Sequence, residues 1–389
     1  MTGLEDLRKR FRAFVDEEVV PAEPTPGTTP HGPDEALVEQ LRAAARRAGV
    51  FAPTVPEALG GLGLSHREQA VALEEAGRSL LGPAATLCAA PDEGNVVLLQ
   101  RIASPGQRER YLEPLARGEV RSAFAMTEQS PGAGSDPSQL ATGAERVSGG
   151  WVIDGHKWFI SGADGAAFLI VMARTEPGAT MFIVAADNPG LRVGRRIGAL
   201  DTVFAGGHCE VFFDGCRVGD DAVLGAVGEG FAYAQLRLAP ARLTHCMRWL
   251  GAARRAHETA VRYAADRPMW GAVLADLGMA QQMIADNEID IASSRALIRD
   301  AAEVLDSGAP GRHETSIAKV FVAEAVFRVV DRCVQLCGAL GVSDDAVVSQ
   351  LYREVRPFRV YDGPSEVHRQ SIARRVVARA RAGTPPGGP

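Results

Sequence analysis

The feature that most constrains the fold is a block of strand-like runs, from about Ala123 to Leu224, between two helical regions. In this block β-branched and aromatic residues form short runs that Gly, Asp and Pro separate. The runs are Trp151–Ile153, Ala167–Val171, Met181–Val184 and Glu210–Phe213. Because no helix-length pattern separates them, the block predicts an antiparallel sheet, either a barrel or a sandwich.

Both flanking regions have helical periodicity. Residues 4 to about 122 begin with an apolar repeat at Leu4, Leu7 and Phe11. After Gly230, long helices joined by short loops are typical of a bundle. They are predicted over residues 231–265, 271–307 and 314–337. The chain is therefore predicted to be α+β. Its predicted parts are an N-terminal helical domain (1–122), a middle β domain (123–230), a C-terminal four-helix bundle (231–382) and a disordered Gly/Pro-rich tail (383–389).

Composition excludes several classes of protein. The chain has 389 residues, and a net charge of −6 argues against nucleic-acid binding. No apolar run approaches the ~20 residues that a bilayer needs. The first twelve residues are charged and lack a signal core, which predicts a cytoplasmic protein without a membrane partner. The six cysteines lack zinc-type spacing and predict buried free thiols, and no histidine pattern predicts a metal site.

A glycine-rich loop ends at Ser65, directly before a helical pattern that begins at His66. Such a loop can cradle phosphate when it follows a β-strand, but no strand pattern precedes this one. We therefore interpret the loop as a connector and Ser65 as the N-cap of the next helix.

A second motif, Tyr361-Asp-Gly-Pro-Ser-Glu366, places an acid directly before a Gly-Pro corner. Gly-Pro indicates a turn, so Asp362 is predicted to lie on a rigid corner before a helix. A carboxylate held this way can act as a general base, or it can simply cap the helix. From this stretch alone the capping role is the commoner one, and both remain open.

Four segments resemble motifs of the acyl-CoA dehydrogenase family, in that family's order and spacing over nearly the whole chain. The first is Phe124-Ala-Met-Thr-Glu-Gln-Ser-Pro-Gly-Ala-Gly-Ser-Asp136, and the second is Val152-Ile-Asp-Gly-His-Lys-Trp-Phe-Ile-Ser-Gly162. The others are Gln335-Leu-Cys-Gly-Ala-Leu-Gly341 and the Asp362 motif. The chain looks closest to a branch of the family that carries Asp-Gly-Pro at the catalytic-base motif.

The resemblance implies FAD-dependent α,β-dehydrogenation of an acyl thioester, on either coenzyme A or acyl carrier protein. Asp362 is then the general base, while the flavin N5 accepts the hydride. Burial against thioester and flavin is expected to raise the pKa of Asp362. The resemblance also places Ser135, Arg242, Tyr361 and Gly363 at the substrate.

Further residues carry over as contacts of the cofactor. Thr127 and the backbone near Met126 are expected at the isoalloxazine edge, Phe159 against the ring, and Ser161 near N5. Arg267 is expected at the pyrophosphate of a neighbouring subunit, which implies a homotetramer or at least a dimer. The full predicted set is Phe124, Met126, Thr127, Gly134, Ser135, Phe159, Ser161, Arg267, Trp270, Gln335, Gly338 and Glu366.

Several departures from the family pattern leave alternatives open. Most members have Glu where this chain has Asp362, which is shorter by one methylene. Some members place the base on a helix position that here is Ala241, whose side chain cannot accept a proton, so a base at that position is excluded. Glu366 is the other nearby acid and the alternative base. Electrons would leave to an electron-transfer flavoprotein or another acceptor, unless the chain is an oxidase, a monooxygenase or a degenerate flavin-binding protein.

Overall fold

The computed structural model describes residues 3–24 and 32–383. Helices of the N-terminal part are α1 (Gly3–Phe14), α2 (Glu35–Arg47), α3 (His66–Ala76), α4 (Gly82–Ala85), α5 (Asp92–Ile102), α6 (Pro105–Gln107) and α7 (Glu113–Ala116). Those of the C-terminal part are α8 (Gly230–Asp266), α9 (Gly278–Asp306), α10 (Arg312–Cys337), α11 (Val347–Val355) and α12 (Ser365–Arg381). The predicted disordered tail lies outside the described residues, apart from Gly383.

The middle part of the chain forms a β-sheet. Its strands are β1 (Ser122–Ala125), β2 (Gly143–Val147), β3 (Gly150–Ser161), β4 (Phe168–Thr175), β5 (Gly178–Ala185), β6 (Leu191–Ile197) and β7 (His208–Val218). The strand order is β1-β4-β2-β3-β7-β6, with β5 paired to β4. A separate hairpin joins β8 (Pro268–Met269) to β9 (Ala272–Val273). Together these elements form an N-terminal helical domain, a middle β domain and a C-terminal helical domain, as predicted.

The prediction that every strand pairing is antiparallel was wrong in one respect. Among the described residues of the seven-stranded sheet, four strand pairings are antiparallel, but β1 pairs with β4 in parallel, with Ser122 opposite Phe168. A single parallel contact also joins β2 to β4 at Gly143 and Arg174. Parallel neighbours need a crossover connection. The chain makes that crossover through the β2–β3 hairpin instead of through a helix. The sequence therefore contained no helical pattern from which the parallel pairing could be predicted.

Chain contacts group the described residues into two compact units. One comprises Lys9–Leu64 and Leu81–Ala241, and contains the sheet. The core of the sheet is apolar and closely buried, because alternate residues of its strands point to one face. It includes Trp151, Ile153, Leu169, Val171, Phe182, Val184, Val211 and Phe213. Ser122 of β1 is tied to α5 by its backbone N–H, which donates to Asp92 Oδ1 at 2.8 Å.

The other unit comprises Met1–Arg8, Ser65–Leu80 and Arg242–Pro389, so α3 groups with the C-terminal helices. Charged pairs tie these helices together. Glu74 of α3 is buried and accepts from Arg254 of α8 at 2.8 Å and from Arg295 of α9 at 2.7 Å. All six cysteines of the chain are buried and free, as predicted.

The prediction for the glycine-rich loop is confirmed at its C-terminal end. Ser65 Oγ accepts from the backbone N–H of Glu68, and the Glu68 side chain accepts from the Ser65 backbone N–H at 2.8 Å. This reciprocal pair satisfies two donors of the first turn of α3. The helix begins at His66, as predicted, and ends at Ala76.

Candidate active site

The Asp362 motif forms a tight corner between a 3₁₀ turn (Arg356–Arg359) and α12. Asp362 has φ +53° and Gly363 has φ +95°, so two successive residues adopt left-handed backbone. A Cβ at Gly363 would lie 2.7 Å from His368 Nε2, which explains the glycine. The N-cap of α12 is Pro364, not Asp362, so the capping role does not account for this acid.

Donors from three helices hold the backbone of this corner. The Asp362 carbonyl accepts from Arg242 Nε of α8 at 3.0 Å and lies 3.1 Å from His368 Nε2 of α12. Lys319 of α10 donates from Nζ to the carbonyls of Phe358 at 2.6 Å and Gly363 at 3.0 Å. Because the clamped carbonyls belong to Asp362 and to residues on either side of it, the Cα position of Asp362 is strongly determined.

Burial shifts the pKa values of these supporting groups. Lys319 is fully buried, and this desolvation lowers its pKa to about 8. Burial also lowers the pKa of His368 to about 4, with Arg242 as the next cause. Near neutral pH His368 is therefore uncharged, and its Nε2–H is the donor that faces the Asp362 carbonyl.

The side chain of Asp362 is 19% exposed, and its Oδ2 lies 3.3 Å from Nε2 of buried His245. The other nitrogen of His245, Nδ1, lies 3.1 Å from Arg248 Nη2. Neither His245 nor Arg248 was predicted from the sequence to act at Asp362. Their spacing on α8 could have indicated it, since residues three apart share one face of a helix.

The predicted neighbours of Asp362 differ in their environments. Tyr361 accepts a hydrogen bond from Trp249 Nε1, and its ring centre lies 5.0 Å from that of His245. Gly363 belongs to the corner itself. Glu366 is exposed on the first turn of α12. The structure thus gathers Arg242, Tyr361 and Gly363 around Asp362.

The other predicted cluster lies in the unit that contains the sheet. The end of β1 and the middle of β3 meet where the Trp158 backbone N–H donates to the Thr127 carbonyl at 2.9 Å. Phe159 is half-buried with φ +60°, and its ring stacks on His208 at 4.5 Å. Ser161 Oγ lies 2.9 Å from His208 Nδ1. The two family-like segments that begin at Phe124 and Val152 therefore meet at one place.

A buried ion pair that sequence analysis missed organises the loop after Thr127. Lys157 Nζ lies 2.8 Å from Glu128 Oε1 and donates to the Met126 carbonyl at 3.1 Å. The Glu128 carboxylate also accepts from the backbone N–H groups of Ala133, Ala141 and Thr142. Burial raises the pKa of Glu128, but hydrogen bonds from Lys157 and Thr142 outweigh it and lower the pKa to about 2. The position of Lys157 inside a strand pattern rich in aromatic residues could have indicated a buried charge with a partner.

The remaining predicted residues are spread over both units. Gly134 and Ser135 are exposed on the loop that Glu128 organises. Phe124 of β1 lies under the guanidinium of Arg237, 4.2 Å from ring centre to Cζ. In the unit with the C-terminal helices, Arg267 and Trp270 are exposed at the β8–β9 hairpin, and Gln335 and Gly338 are exposed at the end of α10.

Among the residues that the structure describes, no group of three or more His, Cys, Asp or Glu side chains could hold a metal ion. Within the same residues, no helix has the length and apolar character needed to cross a bilayer.

Comparisons with known proteins identify the family. The profile described as acyl-CoA dehydrogenase, N-terminal domain, matches residues 3–119, the middle-domain profile residues 123–216 and the C-terminal-domain profile residues 228–377. Together these matches cover nearly the whole chain. The chain therefore belongs to the acyl-CoA dehydrogenase family, and it is an oxidoreductase of that type.

Individual relatives agree with this assignment. The chain is 36% identical to "Probable acyl-CoA dehydrogenase FadE2" of Mycobacterium tuberculosis, over 97% of this chain and 96% of the relative. It is 37% identical to (R)-benzylsuccinyl-CoA dehydrogenase of Thauera aromatica, over 90% of this chain and 87% of the relative. A solved structure from Mycobacterium abscessus superposes with a TM-score of 0.91 at 35% identity, covering 98% of this chain and 99% of that one.

Some relatives are longer. The chain is 33% identical to acyl-CoA dehydrogenase family member 11 of Gallus gallus over 95% of its own length, but it spans only 50% of that relative.

Proposed function

We propose that the protein is an FAD-dependent acyl-thioester α,β-dehydrogenase in which Asp362 is the general base. The observation that carries this proposal is the clamped corner. Arg242, Lys319 and His368 hold the backbone on both sides of a partly exposed carboxylate. A base must be positioned within hydrogen-bond reach of the proton that it takes. An aspartate is shorter than a glutamate by one methylene, so its reach depends more strongly on where the backbone holds it.

The residues of the sheet unit fit a bound flavin. Thr127 and Ser161 supply polar atoms, and half-buried Phe159 supplies an aromatic face beside them. The indole Nε1 of neighbouring Trp158 is buried without a hydrogen-bond partner among the described residues, as expected beside a polar ligand. We assign the binding of FAD to this cluster with Phe124, Met126, Gly134 and Ser135, together with Arg267, Trp270, Gln335, Gly338 and Glu366. When bound, FAD would supply the acceptor for the β-hydride.

The role of Asp362 is to remove the α-proton of the acyl thioester. The carboxylate takes that proton while the electron pair of the C–H bond forms the α,β double bond. The backbone N–H of Asp362 is proposed to polarise the thioester carbonyl, since donors aimed at a developing oxyanion stabilise the transition state. We place Arg242, Tyr361, Gly363 and Ser135 at the substrate. Arg242 would act by holding the Asp362 carbonyl.

The substrate class is a coenzyme A or acyl-carrier-protein thioester. Coenzyme A is favoured by relatives whose names specify coenzyme A thioesters. The proposed electron acceptor is an electron-transfer flavoprotein, and the proposed assembly is a homotetramer, or at least a dimer, in the cytoplasm. The purified protein is then expected to be yellow with noncovalent FAD. Native oligomer that shows no flavin absorbance after FAD is added would contradict the proposal.

The decisive experiment compares Asp362→Asn with Glu366→Gln. Asn keeps the size of Asp362 but cannot accept the α-proton. We expect FAD content and thioester binding to persist, while flavin reduction by the best substrate falls at least ~10²-fold. Glu366 is exposed on α12, so its amide variant is expected to cost far less. The measurement is anaerobic stopped-flow bleaching across a thioester panel. Near-normal reduction by Asp362→Asn with an inactive Glu366→Gln would move the base to Glu366.

A further inference from the structure

Three side chains form a chain of polar contacts behind the proposed base. Arg248 Nη2 lies 3.1 Å from His245 Nδ1, and His245 Nε2 lies 3.3 Å from Asp362 Oδ2. Both Arg248 and His245 are on α8, three residues apart, and both are about 5% exposed. One turn of α8 therefore places Arg248 beside His245, and the corner places Asp362 on the other side of the His245 ring.

The arginine decides which nitrogen of His245 carries the proton. A guanidinium has donors and no acceptor, so His245 Nδ1 must accept from Arg248. A neutral ring then carries its hydrogen on Nε2, the atom that faces Asp362 Oδ2. The 3.3 Å separation is slightly long for an N–H···O bond. Catalytic hydrogen bonds without substrate are commonly long and tighten in the complex.

Charged and titratable groups from three helices lie around Asp362. Facing Asp362 are Arg242 and Cys246 from α8, Lys319 from α10 and His368 from α12. Arg248 adds a further positive charge at the other side of the ring. A hydrogen on His245 Nδ1 would remove the bond that Arg248 donates, so the ring hydrogen lies on Nε2.

We propose that His245 is a positioning residue for Asp362. Its Nε2–H donates to Oδ2, which orients the short carboxylate and stabilises its ionised form, so that the second oxygen takes the α-proton. His245 keeps its own proton throughout, and the transferred proton ends on Asp362. This inference rests on the proposed role of Asp362 as the base, and it adds a specific donor that a base with one fewer methylene needs.

The test compares two amides that mimic opposite nitrogens of the ring. His245→Gln can place its amide N–H where Nε2 lies, whereas His245→Asn reaches only the Nδ1 position. Both variants are polar and similar in size, so they are expected to fold alike. We expect His245→Asn to slow anaerobic flavin reduction ~10-fold, about the loss for one hydrogen bond to a charged group. His245→Gln is expected to stay within ~3-fold of the wild type, since it retains that donor.

The pH profile separates positioning from a packing role. Losing a donor to the carboxylate raises its pKa, so the acid limb of the reduction rate is expected to move up by ~1 pH unit in His245→Asn. His368 and Lys319 are unchanged in both variants, so the difference reports His245. A matched control is His257→Asn, since His257 is equally buried on α8 but pairs with Glu288.

A double variant tests whether His245 acts through Asp362. In the Asp362→Asn background, His245→Asn is expected to cost no further rate, because the carboxylate that it serves is absent. An additive loss there, or an acid limb that stays in place, would overturn the role of His245. If Asp362→Asn itself remains active, the proposed base is wrong, and this failure is distinct from a His245→Asn variant that behaves like the wild type.

Discussion

At the scale of single residues, the Asp362 corner depends on buried side chains that donate hydrogen bonds to backbone carbonyls. Lys319 is one of the largest fully buried side chains in the described structure, and it holds carbonyls on both sides of Asp362. Burying an ammonium group costs free energy, which the two hydrogen bonds partly offset. The geometry of Asp362 is thus supported by a residue that does not belong to its motif.

Lys319→Met gives a pH-dependent prediction. The pKa of Lys319 is about 8 in the folded protein and 10.5 in the reference state. Between these values the unfolded chain binds more protons, so the wild-type free energy of unfolding gains a term that rises with pH. Below pH 8 that term does not change.

The measurement is the melting temperature of the wild type and of Lys319→Met across this range. We expect the melting temperature of the wild type to rise relative to that of Lys319→Met from pH 8 to 10.5. Lys157 also has a pKa of about 8, but it is present in both proteins and cancels. A difference that is constant with pH would show that Lys319 keeps its proton in the folded state.

At the scale of elements, β3 positions Phe159 and Ser161 of the cluster that we propose binds FAD. Its pairing with β7 shifts register between Lys157 and Ile160, and Phe159 has φ +60° at this irregularity. Such bulges re-aim side chains and are common near active sites. The regular part of β3 was predictable from its pattern, whereas the bulge was not.

The N-terminus of α3 allows a quantitative prediction. Ser65→Ala removes the Oγ that accepts from the Glu68 N–H, and it is expected to lower the free energy of unfolding by about 1 kcal/mol. The measurement is chemical or thermal unfolding with the FAD content held equal. Ser148→Ala, on an exposed turn, is the control and is expected to change little. Equal effects in both variants would contradict the capping role.

At the scale of the whole molecule, large apolar side chains are exposed in the unit that contains the C-terminal helices. Trp270 is 87% exposed at the β8–β9 hairpin, and Met279 is 76% exposed at the start of α9. Exposed large apolar groups commonly mark interaction surfaces. They support the proposed homotetramer, in which Arg267 would reach the FAD of a neighbouring subunit.

Arg267→Ala is therefore expected to weaken FAD retention and the oligomer together, because Arg267 would donate paired hydrogen bonds to a pyrophosphate across a subunit boundary. Size-exclusion chromatography with light scattering and flavin absorbance measure the two effects. Arg262→Ala, also exposed near the end of α8, is the control. Flavin loss from an oligomer of normal size would leave only the cofactor role, and loss of neither would refute both.

Local patterns in the sequence were sufficient for the order of helical, β and helical parts, the cap at Ser65 and the corner at Asp362. These features depend on periodicity and on turn residues close in the chain. Only the tertiary structure decided the parallel β1–β4 pairing, the buried Glu128–Lys157 pair and the donors around Asp362. Lys319 and Asp362 are 43 residues apart, and their relation appears only when α10 packs beside the corner. Contacts of this kind depend on how helices and strands pack, which no local pattern encodes.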